Sequence, residues 1–225
     1  MKCFLIAALL LATPLLAQAE EGFESLFDGK TLNGWEGKEA FWSVQDGVIT
    51  GQTTAENPTK GNTFLIYRKA EPGDFELRVK FRIEGGNSGV QYRSRDLGNS
   101  VVGGYQADFD DAMNWVGVLY EEKGRGVLAK RGEKVVVDEN GGRKTVERTA
   151  TEEEIVNALK KGDWNEYVII AKGNHLVQKL NGVTTVDLVD HQEDKRKLDG
   201  ILALQLHAGP PMRVQFKDIQ LKKLD

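Results

Sequence analysis

The chain has 225 residues, and its 30 Lys and Arg against 34 Asp and Glu give a formal net charge of −4. This mildly acidic balance, without a basic cluster, argues against nucleic acid or an anionic membrane as the partner. The single cysteine, Cys3, cannot form an intramolecular disulfide, so we expect a fold stabilised by its hydrophobic core alone.

The first 19 residues have the pattern of a secretory signal peptide. Lys2 precedes an apolar run from Phe4 to Leu11, and Ala17-Gln18-Ala19 fits a small-x-small cleavage site. The alternative is a retained anchor, but the apolar run is too short to span a bilayer. We therefore expect an exported protein, periplasmic or secreted, with no membrane attachment after cleavage. Residues 20–225 are expected to form one domain.

Short strand patterns and turn signals fill most of the remaining chain. Asp46-Gly47 and Asn181-Gly182 are two-residue hairpin signals between apolar runs. The clearest strand pattern is strictly alternating and predicts one buried and one wet face. Its apolar residues are Phe75, Leu77, Val79, Phe81 and Ile83.

The later part of the chain contains one helix signal among further strands. Thr151 to Lys161 is predicted to be helical, since Thr151 and Glu154 form a capping box and Gly162 is a stop signal. Trp115 to Tyr120 is predicted to be a strand, and a parity shift near Asp218 predicts a bulge. Together these patterns predict an all-β fold, an antiparallel two-sheet sandwich or jelly roll with one short surface helix.

A polar face is predicted where three strand patterns carry groups that form directional hydrogen bonds. Side chains on a strand alternate between faces, and in each pattern the residues between the polar ones are apolar. If the three strands share a sheet, one concave surface receives all of these side chains. They are Gln91, Arg93, Gln106, Asp108, Gln205 and His207.

Seven segments resemble the 3-keto-disaccharide hydrolase family and follow one another in the expected order. They are SLFDGKTLNGW at 25–35, FWSVQDGVITG at 41–51, GDFELRVKFRIEGGNSGVQYRSR at 73–95, GGYQADFDD at 103–111, WVGVLYEEKGRG at 115–126, GDWNEYVIIAKGNHLVQKLNG at 162–182 and ILALQLHAGPPMRVQFKDIQLKKL at 201–224. The resemblance implies a concanavalin-like jelly roll that acts on sugars whose C3 hydroxyl is oxidised to a ketone. Many members have Glu where this chain has Gln106, and Gln cannot act as a base.

A ketone at C3 makes the C2 proton acidic. The resemblance therefore implies cleavage by hydrolysis, or by removal of that proton and β-elimination of the group at C1. His207 is the first candidate for the base because of its ordinary pKa, and Asp108 either orients it or acts instead. Glu121 is the candidate acid, and Arg93 or Arg125 is the candidate to stabilise the enolate.

Further residues are candidates for binding the sugar, because amide, guanidinium and hydroxyl groups match sugar hydroxyls. Two of them, Trp115 and Tyr120, would form a stacking wall for the ring. The predicted substrate-binding residues are Asn87, Ser88, Gln91, Arg93, Gln106, Trp115, Tyr120, Arg125 and Gln205.

A second interpretation is a carbohydrate-binding module of the same fold that performs no chemistry, because fold alone does not separate the two. No cofactor is expected. Asp110, Asp111 and Asn114 offer oxygen ligands for Ca²⁺, but their spacing matches no known calcium loop. The oligomeric state is left open.

Overall fold

The computed structural model describes residues 21–225, so the predicted signal peptide lies outside the described residues. Within 21–225, no helix combines the length and the apolar character that crossing a membrane requires. The elements in chain order are β1 Glu24–Ser25, β2 Trp35–Glu36, β3 Trp42–Gln45, β4 Val48–Thr53, β5 Thr63–Tyr67, β6 Phe75–Glu84, β7 Asn87–Gly98, β8 Val101–Asp110, β9 Leu119–Glu122, β10 Gly126–Ala129, β11 Glu133–Val137, β12 Arg143–Arg148, α1 Glu152–Ala158, β13 Asn165–Lys172, β14 His175–Leu180, β15 Val183–Asp190, β16 Ile201–Leu206 and β17 Met212–Lys223.

The strands form two sheets, which confirms the predicted all-β sandwich of jelly-roll type. A ten-stranded sheet runs β12-β11-β15-β14-β13-β6-β17-β4-β3, with β1 paired to β17. A seven-stranded sheet runs β10-β9-β8-β7-β16-β5-β2, and its pairs are antiparallel. The one parallel pair among the described strands joins β11 to β15 in the larger sheet.

The core lies between the sheets, where large aromatic side chains interlock. Phe81 of β6 stacks on Phe109 of β8 with ring centroids 3.9 Å apart, and Phe216 of β17 meets Phe109 edge-on at 6.2 Å. The predicted alternation of β6 is confirmed, because its apolar residues from Phe75 to Ile83 are buried and the residues between them are half-buried. Each sheet therefore packs against the other through one apolar face.

The predicted turns are confirmed, and the helix is shorter than predicted. Asp46-Gly47 joins β3 to β4 and Asn181-Gly182 joins β14 to β15, with positive φ at all four residues. Helix α1 has the predicted Thr151 capping box but ends at Ala158. It stops early because the Asn165 side chain binds both the N–H and the carbonyl of Lys160, which holds that residue in a loop. The predicted bulge at Asp218 is present, with φ of 49° and a register shift.

Candidate active site

A polar hollow of about 410 Å³ lies over the seven-stranded sheet, on the face that points away from the ten-stranded sheet. It forms there because the residues between the polar ones, among them Val90, Tyr92, Ala107 and Leu206, are buried in the core. The side chains that line the polar hollow are Asn62, Asn87, Gln106, Asp108, Trp115, Tyr120, Glu122, Gln205 and His207. All of these except Asn62 and Glu122 are residues that the sequence predicted for the site.

A chain of buried hydrogen bonds forms the floor of the polar hollow. Ser94 donates through Oγ to Gln91 Oε1 at 2.6 Å, and Gln91 donates through Nε2 to Gln106 Oε1 at 2.8 Å. Gln106 in turn donates through Nε2 to Asp108 Oδ1 at 2.6 Å. Gly89 leaves room for this arrangement, because a Cβ there would lie 2.4 Å from Gln106 Cγ. Gln91 therefore holds the floor from beneath and does not line the hollow.

Asp108 is a buried carboxyl whose environment disfavours its charge. The residue is 4% exposed, and burial raises the pKa of its carboxyl well above the ordinary value. The Gln106 hydrogen bond opposes this shift, and the negative charges of Glu122 and Asp110 add to it. The backbone of Asp108 is fixed as well, since its carbonyl accepts from Tyr167 Oη at 2.6 Å. The result is a rigidly held carboxyl with a raised pKa, which is typical of an acid–base group in an active site.

Gln205 presents an unused hydrogen-bond donor beside this carboxyl. It is 1% exposed, and its Oε1 lies 3.4 Å from Gln106 Nε2. Its own Nε2 is buried and has no partner among the described residues. A buried N–H without an acceptor costs free energy, so this amide is suited to receive an oxygen atom of a ligand.

His207 lies on the wall of the polar hollow and does not pair with Asp108. Its Nδ1 lies 2.5 Å from the carbonyl oxygen of Ala208. Because a carbonyl only accepts, Nδ1 carries a proton there and Nε2 is left for other partners. The loop is tied down by Asn62, whose Oδ1 accepts the Ala208 N–H at 3.1 Å. The hypothesis that Asp108 orients His207 is therefore wrong for this arrangement.

Trp115 and Tyr120 form the predicted aromatic wall, although the predicted strand begins only at Leu119. Their rings meet edge-on with centroids 6.2 Å apart, and Trp115 is 41% exposed. Residues 115–118 lie before β9 because Asp110 accepts the N–H of Asn114 at 3.1 Å and that of Trp115 at 2.7 Å, which forms a turn. These bonds use both carboxylate oxygens of Asp110 and explain this acidic residue without a cation.

Arg93 was predicted to face the sugar, but the structure places it on the opposite side of the sheet. A bulge between Tyr92 and Arg95 breaks the alternation, and Arg93 has φ of 44°. Its fully buried guanidinium donates to the carbonyls of Gly73 and Gly173 and pairs with Asp74 at 2.9 Å. These contacts tie together segments around the core and leave Arg93 outside the polar hollow.

Glu121 and Arg125 also lie outside the polar hollow. Glu121 Oε2 is 2.5 Å from Arg125 Nε, and Arg125 Nη2 is 2.7 Å from Asp190 Oδ2 on the ten-stranded sheet. Tyr105 donates to the same Asp190 oxygen at 2.8 Å. This buried cluster links the two sheets, so it gives Glu121 and Arg125 a structural role. Ser88 is similarly occupied, since its Oγ donates to the backbone carbonyl of Gln205 at 2.6 Å.

Sequence reasoning missed Glu122, Asn62 and Ser94. Glu122 is 8% exposed and lines the polar hollow, where the sequence predicted Glu121. Alternation along β9 could have predicted Glu122, because Tyr120 and Glu122 are two residues apart and lie on the same face of the strand. Asn62 has no such signal, since it comes from a loop. Within 21–225, no cluster of three or more His, Cys, Asp or Glu side chains is placed to hold a metal ion.

The fold and the site define a class of lectin-like jelly rolls with a polar hollow over one of the two sheets. A family model described as the 3-keto-alpha-glucoside-1,2-lyase-like domain matches residues 22–222. The chain belongs to this family, and membership indicates a function on glycosides.

One sequence relative is the 3-keto-disaccharide hydrolase of Bacteroides thetaiotaomicron, which is 30% identical over 98 residues. That match covers 36% of this chain and 33% of the relative, so it spans about a third of the relative's length.

Two solved structures share the fold. A protein from Parabacteroides distasonis described as a glycosyl hydrolase has a TM-score of 0.60 and 22% identity, over 91% of this chain and 95% of that one. The carbohydrate-binding module CBM66 from Bacillus subtilis has a TM-score of 0.54 and 15% identity, over 84% of this chain and 96% of that one.

Proposed function

We propose that this protein cleaves 3-keto-glycosides by removing the C2 proton and eliminating the group at C1. The observation that carries the proposal is the juxtaposition of two groups in the polar hollow. Asp108 is a buried carboxyl with a raised pKa, and Gln205 Nε2 is a buried donor without an acceptor. Base-promoted enolisation next to a ketone needs one group of each kind.

Asp108 takes the C2 proton in this proposal. Its raised pKa brings its basicity nearer to neutral pH, where a general base is most effective. The electron pair of the C2–H bond moves into a C2–C3 double bond, and the C3 ketone oxygen becomes an enolate. Gln106 positions the base, because its Nε2–H donates to Asp108 Oδ1 at 2.6 Å and fixes the orientation of the carboxylate.

Gln205 Nε2 stabilises the enolate oxygen. The donor is already in place and desolvated, so it needs no reorganisation when negative charge develops. No lysine or arginine lines the polar hollow among the described residues, which leaves this amide as the principal donor at the floor.

His207 protonates the leaving oxygen. As the enolate collapses, a C1–C2 double bond forms and the C1–O bond breaks. The departing oxygen receives the Nε2 proton of a doubly protonated His207, whose Nδ1 keeps its proton on the Ala208 carbonyl. Addition of water to the double bond would then give the net product of hydrolysis, with hydroxide at C1 and a proton at C2. A reaction that stops before this addition is a lyase reaction, and one that completes it is a hydrolysis. These are the two activities named in the family description and in the name of the sequence relative.

The experiment compares a 3-keto-glucoside with the same glucoside that carries an ordinary C3 hydroxyl. We expect release of the aglycone from the ketone alone, because only the ketone acidifies C2. In the variant His207→Gln we expect a slower release with a poor leaving group and a smaller loss with a good one. Cleavage of both glucosides at similar rates would contradict the proposal.

A carbohydrate-binding module without chemistry is the second candidate. Gln106 supports it, because an amide cannot act as a base, and so does the fold shared with CBM66. The same incubation separates the two functions. A binding module would retain the 3-keto-glucoside intact and release no aglycone, while titration would still show saturable binding.

A further inference from the structure

A second cavity of about 430 Å³, here called the basic cavity, adjoins the polar hollow. The indole of Trp115 is the shared wall, since it lines both spaces. Val118 and Val127 give the basic cavity an apolar lining, and its cations are Lys130, Arg131 and Arg148.

The charges in the basic cavity are only partly neutralised. Glu152 is its one acidic lining residue and pairs with Arg131 at 3.0 Å. Arg148 lies 4.0 Å from Glu133, a long contact between partly exposed groups. Within residues 21–225, the nearby carboxylates of Glu152 and Glu133 pair with Arg131 and Arg148, and the Lys130 ammonium makes no ion pair. An anionic group entering the cavity would therefore find cations ready to pair.

The strand register places the basic cavity and His207 at the same end of the polar hollow. In the proposed mechanism the glycosidic bond breaks beside His207. Asn87 pairs with Asp110, and Leu204 pairs with Val90, so the chain after β16 reaches that same end. His207, the proposed acid for the leaving oxygen, follows β16 there. The backbone N–H of Trp115 binds Asp110 at that end as well.

We infer that the basic cavity is the subsite for the leaving group, and that it selects aromatic leaving groups that carry a carboxylate. The inference rests on the proposed function. A planar ring fits against Trp115 and the two valines, and a carboxylate reaches Lys130 and Arg148. A neutral sugar as leaving group would leave the Lys130 ammonium without a carboxylate partner.

Another cavity lies at the other end of the polar hollow, and Glu122 lines both spaces. This cavity is less suited to an aromatic carboxylate. Its lining residues in the described chain include no aromatic side chain, and four of its five cations have a carboxylate within 4 Å. Lys195 lies in that cavity and is exposed, as Lys130 is. It therefore provides a matched control for Lys130→Ala, since removing either lysine removes one positive charge.

The test uses two 3-keto-glucosides of equal shape, one with a 4-carboxyphenyl and one with a 4-carbamoylphenyl leaving group. Because the two phenols differ in acidity, the readout is the change in the ratio of their kcat/KM values between protein variants. In Lys130→Ala we expect the ratio to fall, and in Lys130→Ala/Arg148→Gln we expect it to fall about three- to tenfold. In Lys195→Ala we expect the wild-type ratio. An unchanged ratio in the double variant, or an equal fall in Lys195→Ala, would overturn the inference.

A binding measurement separates failure of the inference from failure of the proposed function. If no 3-keto-glucoside is cleaved, calorimetry with 4-methoxybenzoate and 4-methoxybenzamide still probes the cavity. We expect the acid to bind more tightly than the amide and to lose that advantage in Lys130→Ala/Arg148→Gln. Equal binding of acid and amide by the wild-type protein would overturn the inference whatever the enzyme assay shows.

Discussion

Glu121 and Glu122 follow one another on β9, yet their carboxylates serve opposite faces of the strand. Glu121 pairs with Arg125 in the buried cluster that reaches Asp190 of the other sheet. Glu122 lines the polar hollow, and its negative charge is one cause of the raised pKa of Asp108. One residue supports the fold, and its neighbour tunes the proposed base.

Glu122→Gln should therefore change the pH dependence of the reaction. Removing this charge lowers the pKa of Asp108, so the acidic limb of the kcat/KM profile should move to lower pH. We expect about a tenfold loss at the wild-type optimum, because a weaker base removes the C2 proton more slowly. Steady-state kinetics from pH 4 to pH 9 measure both effects.

Glu121→Gln is the matched control for that experiment. We expect an unchanged pH profile and a free energy of unfolding about 2 kcal/mol lower, because the buried Arg125 loses a charged partner. A shifted pH profile in Glu121→Gln, with none in Glu122→Gln, would reverse the two assignments.

Asp108→Asn should abolish turnover and stabilise the fold at neutral and alkaline pH. Because burial raises the pKa of Asp108 in the folded state, folding favours its protonated form. The corresponding stability is fully present below the pKa of the unfolded chain and is lost as the pH rises through the folded pKa. We expect the variant to gain about 0.5–2 kcal/mol at high pH and little at low pH, measured by urea unfolding.

Asp110→Asn should lower the free energy of unfolding, in contrast to Asp108→Asn, although Asp110 is also a buried carboxyl. Asp110 accepts two backbone N–H groups through its two oxygens, and an amide can replace only one of those acceptors. We expect a loss of about 1–2 kcal/mol at neutral pH. If both variants lose stability at every pH, Asp108 does not have the raised pKa that its proposed role requires.

Gln205→Met should separate activity from stability. It removes a buried amide whose Nε2 is unpaired, so the free energy of unfolding should stay constant or rise by up to about 1 kcal/mol. Turnover should fall about a hundredfold, as expected when a preorganised donor to an oxyanion is removed. Unfolding curves and single-turnover rates on the same preparations measure the two quantities, and full activity would exclude Gln205 from the proposed mechanism.

Arg93→Met should destabilise the protein because the guanidinium binds Asp74 and the backbone carbonyls of two segments. We expect a loss of about 3 kcal/mol by urea unfolding. Arg95→Met is the control, since Arg95 pairs with Asp199 at an exposed site and should change stability by less than about 1 kcal/mol. A change in substrate KM without a change in stability would return Arg93 to the binding site.

Regular strands made much of the site predictable from sequence. Gln106 and Asp108 lie on β8, and Gln205 lies on β16, where alternation holds and every second residue is in the core. The same rule failed at Arg93, because a one-residue bulge reversed the faces. It failed at Glu121 because the turn held by Asp110 delays the start of β9.

Other parts of the site depend on contacts between distant residues. Asn62 reaches the polar hollow through the loop before β5 and binds the backbone after His207, a pairing that no local pattern encodes. Ser94 enters the hydrogen-bond chain only because the bulge turns it toward Gln91. Sequence patterns therefore predicted the floor of the site better than its rim.

The most direct test is the cleavage of a 3-keto-glucoside labelled with deuterium at C2. We expect wild-type protein to release the aglycone with a primary kinetic isotope effect, and Asp108→Asn to release none, since proton removal from C2 by Asp108 is the proposed first step. Release at the same rate from labelled and unlabelled substrate would contradict this mechanism, and binding of the labelled sugar without release would make the protein a carbohydrate-binding module.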